Sequence, residues 1–280
     1  MKGTMGIITA CCTCLLFLSS SPCLGVQLFL DGYDPAPSAG NDLKNIQRTP
    51  DTGPPGSWAL WSSHDSLSTA QTATALDGIS AAIKVPPASA MDYQGWLGGN
   101  EYTGRFLLQW SIIVDAISSD SNDLGLFSVR FPTATSGMQI LFSFMNNGRL
   151  ITFDSNPNLN GVDSIVDVGT FLADTRYDVD FVYDMFNDTY SVSMNGNHVI
   201  SEMPIPDYLD RTSIDQFGFD ISQAIQLKDS PLPPGNQYYV DNISLSLEPV
   251  SEPIPEPATM LLFGTGIVCL AGFRLRSKHE

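Results

Sequence analysis

The chain has 280 residues and a formal net charge of −17, with 30 acidic side chains against 13 basic ones. The acidic excess grows when the two ends are set aside, because four of the basic residues lie there: Lys2, Arg274, Arg276 and Lys278. A central body with so few cations offers no basic patch, which argues against nucleic acid or an anionic lipid surface as its partner.

The first 25 residues have the layout of a secretory signal peptide. Lys2 supplies the positive start and residues 7–18 form an apolar run of suitable length, so we predict export by Sec-type machinery and cleavage after Gly25. Lipid attachment at Cys23 is the alternative, although Pro22 directly before it suits that processing poorly.

The cysteines support this division of the chain. All five lie in the two end segments, at Cys11, Cys12, Cys14, Cys23 and Cys269. The exported body therefore has no disulfide and depends on its hydrophobic core, which its length allows in a single all-β domain.

The body, residues 26–247, is predicted to consist of β-strands. In residues 177–183 apolar side chains alternate with Asp178 and Asp180, the period of a strand with one buried and one wet face. Asn-Gly pairs at 147–148 and 195–196 are typical of tight hairpins. Further strand signals occur at residues 58–61, 105–114, 124–131, 139–144, 150–153, 190–194, 198–200, 214–221 and 238–247.

This pattern predicts an all-β fold, a two-sheet antiparallel sandwich. Its expected core includes Phe106, Leu108, Phe127, Phe142, Phe181, Tyr190 and Val240. Residues 31–91 are rich in Pro, Gly, Ser and Thr, so we expect long loops around short strands there. Residues 248–254 are predicted to be a proline-rich linker.

Three segments of the body, residues 177–192, 194–196 and 239–243, resemble concanavalin-like, laminin-G-type jelly rolls. The resemblance implies one jelly-roll sandwich over residues 26–247. Jelly rolls of this kind often carry a structural calcium ion that joins the first and last strands. The matching residue here is Asp241, with Asp31 or Asp34 as candidate partners.

A second oxygen-rich segment, residues 154–163, alternates Asp and Asn side chains. It departs from a calcium-binding EF-hand loop, since Leu159 replaces the glycine and Ile165 the glutamate. A polar hairpin loop is the favoured interpretation, with calcium binding as the alternative.

Catalysis is not expected. Glucanases of this fold use a Glu-x-Asp-x-x-Glu strand, whereas Glu101 and Glu202 are the only glutamates between residues 26 and 247. The histidines of the body, His64 and His198, are too few for a zinc site without aspartates.

Carbohydrate binding needs exposed aromatic faces beside hydrogen-bonding groups. Residues 93–102 are glycine-rich and polar and contain three aromatic side chains, which makes Tyr93, Trp96 and Tyr102 the candidate ligand residues. The other three tryptophans are expected in or near the core: Trp58, Trp61 and Trp110.

The C-terminal segment has three successive parts. Pro255-Glu256-Pro257 is followed by an apolar stretch, about residues 259–273, and then by the basic residues Arg274, Arg276 and Lys278. A helix over the apolar stretch would rise roughly 22 Å, short of a hydrocarbon core of roughly 30 Å, and the basic end should stay in the cytoplasm.

This tail, residues 255–280, resembles the PEP-CTERM sorting signal of Gram-negative, biofilm-forming bacteria. The resemblance implies an inner-membrane intermediate, recognition by an exosortase, cleavage near the proline motif and delivery to the cell surface or extracellular matrix. An ordinary membrane anchor is the alternative.

The sequence therefore predicts an exported, non-catalytic surface protein whose body binds carbohydrate, such as exopolysaccharide, or another matrix component. A purely structural surface protein without a specific ligand is the main alternative. A glycoside hydrolase is the distant one.

Overall fold

The computed structural model describes residues 25–32, 42–63, 68–76, 78–84, 90–115, 117, 126–132, 138–153, 165–207, 209–222 and 237–249. The signal peptide, the sorting tail and its helix, Asp34, His64 and the segment 154–163 lie outside these residues, apart from Gly25 at the end of the signal peptide. The chain divides into two units, Met1–Glu248 and Pro249–Glu280, and the fold below is that of the first.

The described body is an all-β sandwich of two antiparallel sheets, as predicted. Sheet A has eight strands: β1 (Val26–Asp31), β3 (Thr69–Ala75), β4 (Gly78–Lys84), β6 (Arg105–Val114), β11 (Arg176–Asp184), β12 (Thr189–Met194), β13 (Asn197–Pro204) and β15 (Gln237–Glu248). Their order across the sheet is β13-β12-β11-β6-β15-β4-β3, and β1 also pairs with β15.

Sheet B has seven strands: β2 (Trp58–Ser62), β5 (Ala90–Trp96), β7 (Leu126–Pro132), β8 (Met138–Met145), β9 (Arg149–Phe153), β10 (Ile165–Thr170) and β14 (Gln216–Ser222). Their order is β10-β9-β8-β7-β14-β5-β2, so β5, which contains Tyr93 and Trp96, lies next to the edge strand β2. No helix among the described residues is long and apolar enough to cross a membrane.

The long strand β15 joins the beginning and the end of the body. Tyr238 and Val240 pair with β4, whereas residues 243–247 pair with β1, on the same side of the strand. The register shifts between Asp241 and Ser244, and Asn242 has a φ of 55° at this junction. Asparagine tolerates that left-handed backbone better than most residues, which fits its place at the change of partner.

The core between the sheets is rich in aromatic rings. All seven core residues predicted from the alternation are buried, with at most 1% exposure. Phe219 of sheet B lies 5.2 Å from Trp110 of sheet A, and Phe131 stacks on Tyr183 at 4.5 Å. Ring contacts of this kind add to the area that the sandwich buries and hold the two sheets together.

Residues 31–91 are more regular than the sequence suggested. They contain β2, β3, β4 and the start of β5, whereas residues 42–57 form isolated bridges and no named strand, as expected of a long loop. Strands β3 and β4 have the sequences TAQTATA and GISAAIK, and alanine and glycine are depleted in strands. Pairing of β4 with β15, and of β3 with β4, supplies what their propensity lacks.

Gly95 provides a test of how closely the core is packed. A Cβ atom at this position would lie 2.5 Å from the Phe217 ring. We therefore expect Gly95→Ala to lower the free energy of unfolding by about 1–3 kcal/mol, the usual effect of overpacking.

Urea unfolding would measure this change, with Gly169→Ala as the control. The nearest side-chain atom to a Cβ at Gly169 is 3.5 Å away, so the control should stay within about 0.5 kcal/mol of the wild type. Equal stability of the two variants would contradict the packing described for Gly95.

Candidate functional site

Strand β5 divides the predicted ligand residues between two faces. Its burial alternates, so that Met91, Tyr93 and Gly95 point into the core while Asp92, Gln94 and Trp96 point outward. Residues 93–96 are thus the second half of a strand that lies between β14 and β2.

Tyr93 as a carbohydrate contact was a wrong prediction. Its side chain is fully buried and its hydroxyl donates to Asp31 Oδ2 at 3.0 Å. Tyr102 is half-buried, its backbone forms a β-bridge with Ile214, and its side chain packs against the core. Of the three predicted aromatic contacts, Trp96 is the one placed on the outward face of β5.

Asp31 takes part in a buried ionic contact between elements of both sheets. Its two carboxylate oxygens accept from Arg48 Nη1 at 2.8 Å and Nη2 at 2.7 Å, and the Asp31 side chain is only 3% exposed. The backbone of Arg48 forms a β-bridge with Ala59 of sheet B, whereas Asp31 lies on β1 of sheet A. The arrangement therefore ties the first strand of the body to the opposite sheet.

The calcium prediction concerned this same region. Asp31 pairs with Ile243, and the buried Asp241 Oδ1 accepts from the Asn242 amide at 2.7 Å. In the part of the chain that the structure describes, no three His, Cys, Asp or Glu side chains are grouped to hold a metal ion. Arg48 already supplies a positive charge to Asp31, and calcium binding through Asp241 stays a prediction.

Trp58 and Trp96 form an aromatic pair on the outer face of sheet B. They are directly opposite residues of β2 and β5, and opposite residues of an antiparallel pair share a face. Their rings are nearly parallel, at 19° and 6.2 Å between centroids, and both are half-buried. Trp61 and Trp110 lie in the core as predicted, whereas Trp58 is half-buried on the outward side of β2.

Polar side chains continue this surface across β5, β14 and β7. Gln94 Nε2 donates to Gln216 Oε1, and Arg130 Nη1 contacts Asp92 Oδ1 at 2.6 Å. Asp220 is directly opposite Asp92. We call this surface the Trp96 face, defined by the outward side chains of Trp58, Asp92, Gln94, Trp96, Arg130, Gln216 and Asp220.

Asp220 has the most unusual electrostatic setting on the Trp96 face. Its pKa is raised to about 6, first because burial disfavours the charged form and second because the Asp92 carboxylate lies beside it. The Arg130 guanidinium acts in the opposite direction. The two carboxyl groups also share a hydrogen bond, so that Asp220 can act as a donor when protonated and as an acceptor when ionised.

The dimensions of the Trp96 face follow from strand geometry. Asp92 and Trp96 are four residues apart on one strand, which separates them by about 13 Å at about 3.3 Å per residue. The face therefore presents an apolar aromatic end, an amide pair in the middle and a charged end. Such an arrangement can stack an apolar ring face and form hydrogen bonds with hydroxyl groups along its length.

Sequence reasoning found Trp96 but missed its partners. Asp92, Gln94, Asp220 and Gln216 occupy alternate positions of their strands, which indicates a shared face within each strand. The sequence does not reveal that β14 lies beside β5, and this pairing brings Asp220 opposite Asp92.

A polar cleft of about 290 Å³ lies on sheet A, lined by Arg105, Asp184, Asn187 and Glu202 among others. Its main polar groups are engaged locally. Arg105 Nε pairs with Glu248 at 2.7 Å, and the Asp184 carboxylate accepts from the amides of Phe186 and Asn187 in the β11–β12 turn. These contacts account for the cleft as part of the turn structure.

The body is similar in architecture to several solved β-rich proteins. A sialidase has 13% identity and a TM-score of 0.47 over 67% of this chain and 17% of its own. A carbohydrate esterase from Shiga toxin-encoding bacteriophage phi24B has 9% identity and 0.46 over 68% and 90%. Alginate lyase A1-II′, of polysaccharide lyase family 7, has 12% identity and 0.42 over 63% and 84%.

The chain thus spans less than a fifth of the sialidase. The catalytic activity of this chain does not follow from these likenesses. A comparison with curated protein sequences returns no match.

The C-terminal segment matches the PEP-CTERM protein-sorting motif over residues 253–277. This match confirms the resemblance predicted from Pro255, Glu256 and Pro257 and from the basic residues Arg274 and Arg276; Lys278 follows directly after the matched segment. An all-β sandwich is thus joined to a PEP-CTERM signal, which implies an exported protein that is processed by an exosortase and located at the cell surface or outside the cell.

Proposed function

We propose that this protein is a non-catalytic carbohydrate-binding component of the cell surface or extracellular matrix, which binds polysaccharide through the Trp96 face. In this proposal the C-terminal helix holds an inner-membrane intermediate until an exosortase cuts near Pro255-Glu256-Pro257. The body is then delivered to a location where exopolysaccharide is the most abundant partner.

The observation that carries the binding proposal is the pairing of Trp58 with Trp96 on an outward face, next to hydrogen-bonding side chains. A core position would hide these rings, yet both remain partly exposed. The polar neighbours Gln94, Gln216 and Asp92 can donate to or accept from sugar hydroxyls, while a tryptophan ring packs against the apolar face of a sugar.

Asp220 supports a functional interpretation of the same face. Keeping a carboxyl group partly desolvated beside a second carboxylate destabilises the fold at neutral pH. Natural sequences depart from locally favourable choices chiefly at functional sites. Surface side chains in an ordinary solvated face need no such arrangement.

The two acids do not favour hydrolysis. Glycosidases place two carboxyl groups about 5–9.5 Å apart with the sugar bond between them. Asp92 and Asp220 instead share a hydrogen bond with each other. This geometry suits ligand contact better than attack on a glycosidic bond.

Glycan-array binding tests the proposal. The purified exported protein is expected to bind a defined subset of polysaccharides, and Trp96→Ala is expected to weaken that binding by at least about tenfold, or 1.4 kcal/mol. The loss follows from removing the flat apolar surface on which the sugar packs.

Phe186→Ala is the matched control, because Phe186 is a 57% exposed aromatic on the β11–β12 turn, outside the Trp96 face. Its binding should equal that of the wild type. Absence of glycan binding by the wild type would instead support a purely structural role, and equal loss in both variants would contradict the assignment of the face.

A further inference from the structure

The charges of the Trp96 face select among classes of polysaccharide. The face has three charged groups, Asp92 on β5, Asp220 on β14 and Arg130 on β7, and among the described residues that define it Arg130 is the cation. When both carboxyl groups are ionised, the three groups together carry one unbalanced negative charge. Arg130 is already engaged, at 2.6 Å from Asp92 and 3.3 Å from the Met138 carbonyl oxygen.

The unbalanced charge is associated with Asp220. The Asp92 side chain is 46% exposed and paired with Arg130, so solvent and the guanidinium both stabilise its charge. Asp220 is half-buried and lies directly opposite the like charge of Asp92. A ligand group that brought one positive charge beside Asp220 would lower the electrostatic cost of ionising it.

The surroundings of the Trp96 face disfavour anionic ligands. The whole chain has a net charge of −17, and its few basic residues within the body are largely paired with neighbouring acids, as in Arg149–Asp167 and Arg176–Asp178. A uronic or sulfated polymer would therefore meet like charge on approach and beside Asp220.

On this charge complementarity we propose that the Trp96 face binds a polysaccharide of amino sugars with free, protonated amino groups, with one ammonium beside Asp220 and a ring a few sugars further along the polymer against Trp96. The inference rests on the proposed carbohydrate-binding function and adds the chemical class of the ligand. The roughly 13 Å between Asp92 and Trp96 is a distance that a few linked sugar rings span.

The test compares two soluble oligosaccharides of equal length, one of glucosamine and one of N-acetylglucosamine, with a uronate oligosaccharide as the anionic probe. Calorimetric titration of the purified exported protein near pH 6.5 is expected to show binding of the glucosamine form at least about tenfold tighter than the acetylated form. The preference should shrink with added salt, because it is electrostatic.

Two variants separate charge recognition from ring packing. Asp220→Asn should reduce the preference for the amine to less than about twofold while binding of the acetylated form persists, and Trp96→Ala should weaken both forms. Asp92→Asn serves as a second charge variant, and thermal melting checks that each variant is folded.

The outcomes distinguish the inference from the function on which it rests. Equal or tighter binding of the acetylated form or of the uronate, or a preference that survives Asp220→Asn, would overturn the amino-sugar inference and leave carbohydrate binding intact. Binding of none of the probes or array glycans by the wild type would overturn both.

Discussion

Replacing Arg48 with methionine is expected to lower the free energy of unfolding by about 3–5 kcal/mol, because it leaves the buried Asp31 carboxylate without its counter-charge. Two guanidinium contacts, at 2.8 and 2.7 Å, and the Tyr93 hydroxyl at 3.0 Å now satisfy that carboxylate. With the Asp31 side chain 3% exposed, water cannot replace them without opening the junction of β1 with sheet B.

Arg149→Met is the matched control for this change. Arg149 also forms two contacts with an aspartate, at 2.6 Å each to Asp167, but the two side chains are 37% and 60% exposed. Removing an exposed pair should cost no more than about 1 kcal/mol. The double variant Asp31→Asn/Arg48→Met should be more stable than Arg48→Met alone, since no charge remains buried.

Urea unfolding of the four proteins measures these differences. If the Arg48→Met variant were as stable as the Arg149→Met variant, this result would contradict a buried ionic contact between Arg48 and Asp31. It would also reopen Asp31 as a calcium ligand, because a carboxylate without a buried partner could bind the ion directly.

Asp220→Asn is expected to stabilise the protein above about pH 6 and to have little effect near pH 4. The folded-state pKa of Asp220 is raised from 3.8 to about 6, so the folded protein binds this proton more tightly than the unfolded chain does. Stability therefore falls as the pH rises between these two values and stays lowered above them. The shift corresponds to a gain on the order of 3 kcal/mol for the asparagine variant at neutral pH.

Asp167→Asn provides a control of opposite sign. The hydrogen bond from Arg149 lowers the pKa of Asp167, so its ionised form stabilises the fold above the ordinary pKa and that contribution is lost as the pH falls. Between about pH 4 and 8 the melting temperature of Asp220→Asn should thus rise relative to the wild type as the pH increases, whereas that of Asp167→Asn should stay slightly below the wild type by a nearly constant amount. Parallel curves for Asp220→Asn and the wild type would contradict the electrostatic setting of the Trp96 face.

The fold was largely predictable where side-chain alternation is strong. Strand β6 has the predicted bounds, Arg105–Val114, and the alternation around Phe181 correctly identified one buried face. The turns at Gly148 and at Asn195-Gly196 have the positive φ values that their sequences favour. These features are local, so the sequence alone carries the information.

The site was less predictable because it depends on strand order. Asp92 and Asp220 are opposite residues only because β14 lies beside β5, and Trp58 joins Trp96 only because β2 pairs with β5 in one register. Arg48 comes from an irregular segment with no strand signal, so its contact with Asp31 could not be anticipated. Long-range pairing of this kind leaves little trace in the local pattern of a single sequence.

The most direct test of the whole account is where the protein accumulates in the producing cells, with and without Trp96. Mass spectrometry of the matrix and medium fractions should show the wild type in the matrix, cut near Pro255-Glu256-Pro257. The Trp96→Ala variant should be cut at the same place but recovered mainly from the medium, because sorting needs the tail and retention needs the Trp96 face. A mature species intact through Glu280, or equal matrix retention of both proteins, would contradict the account.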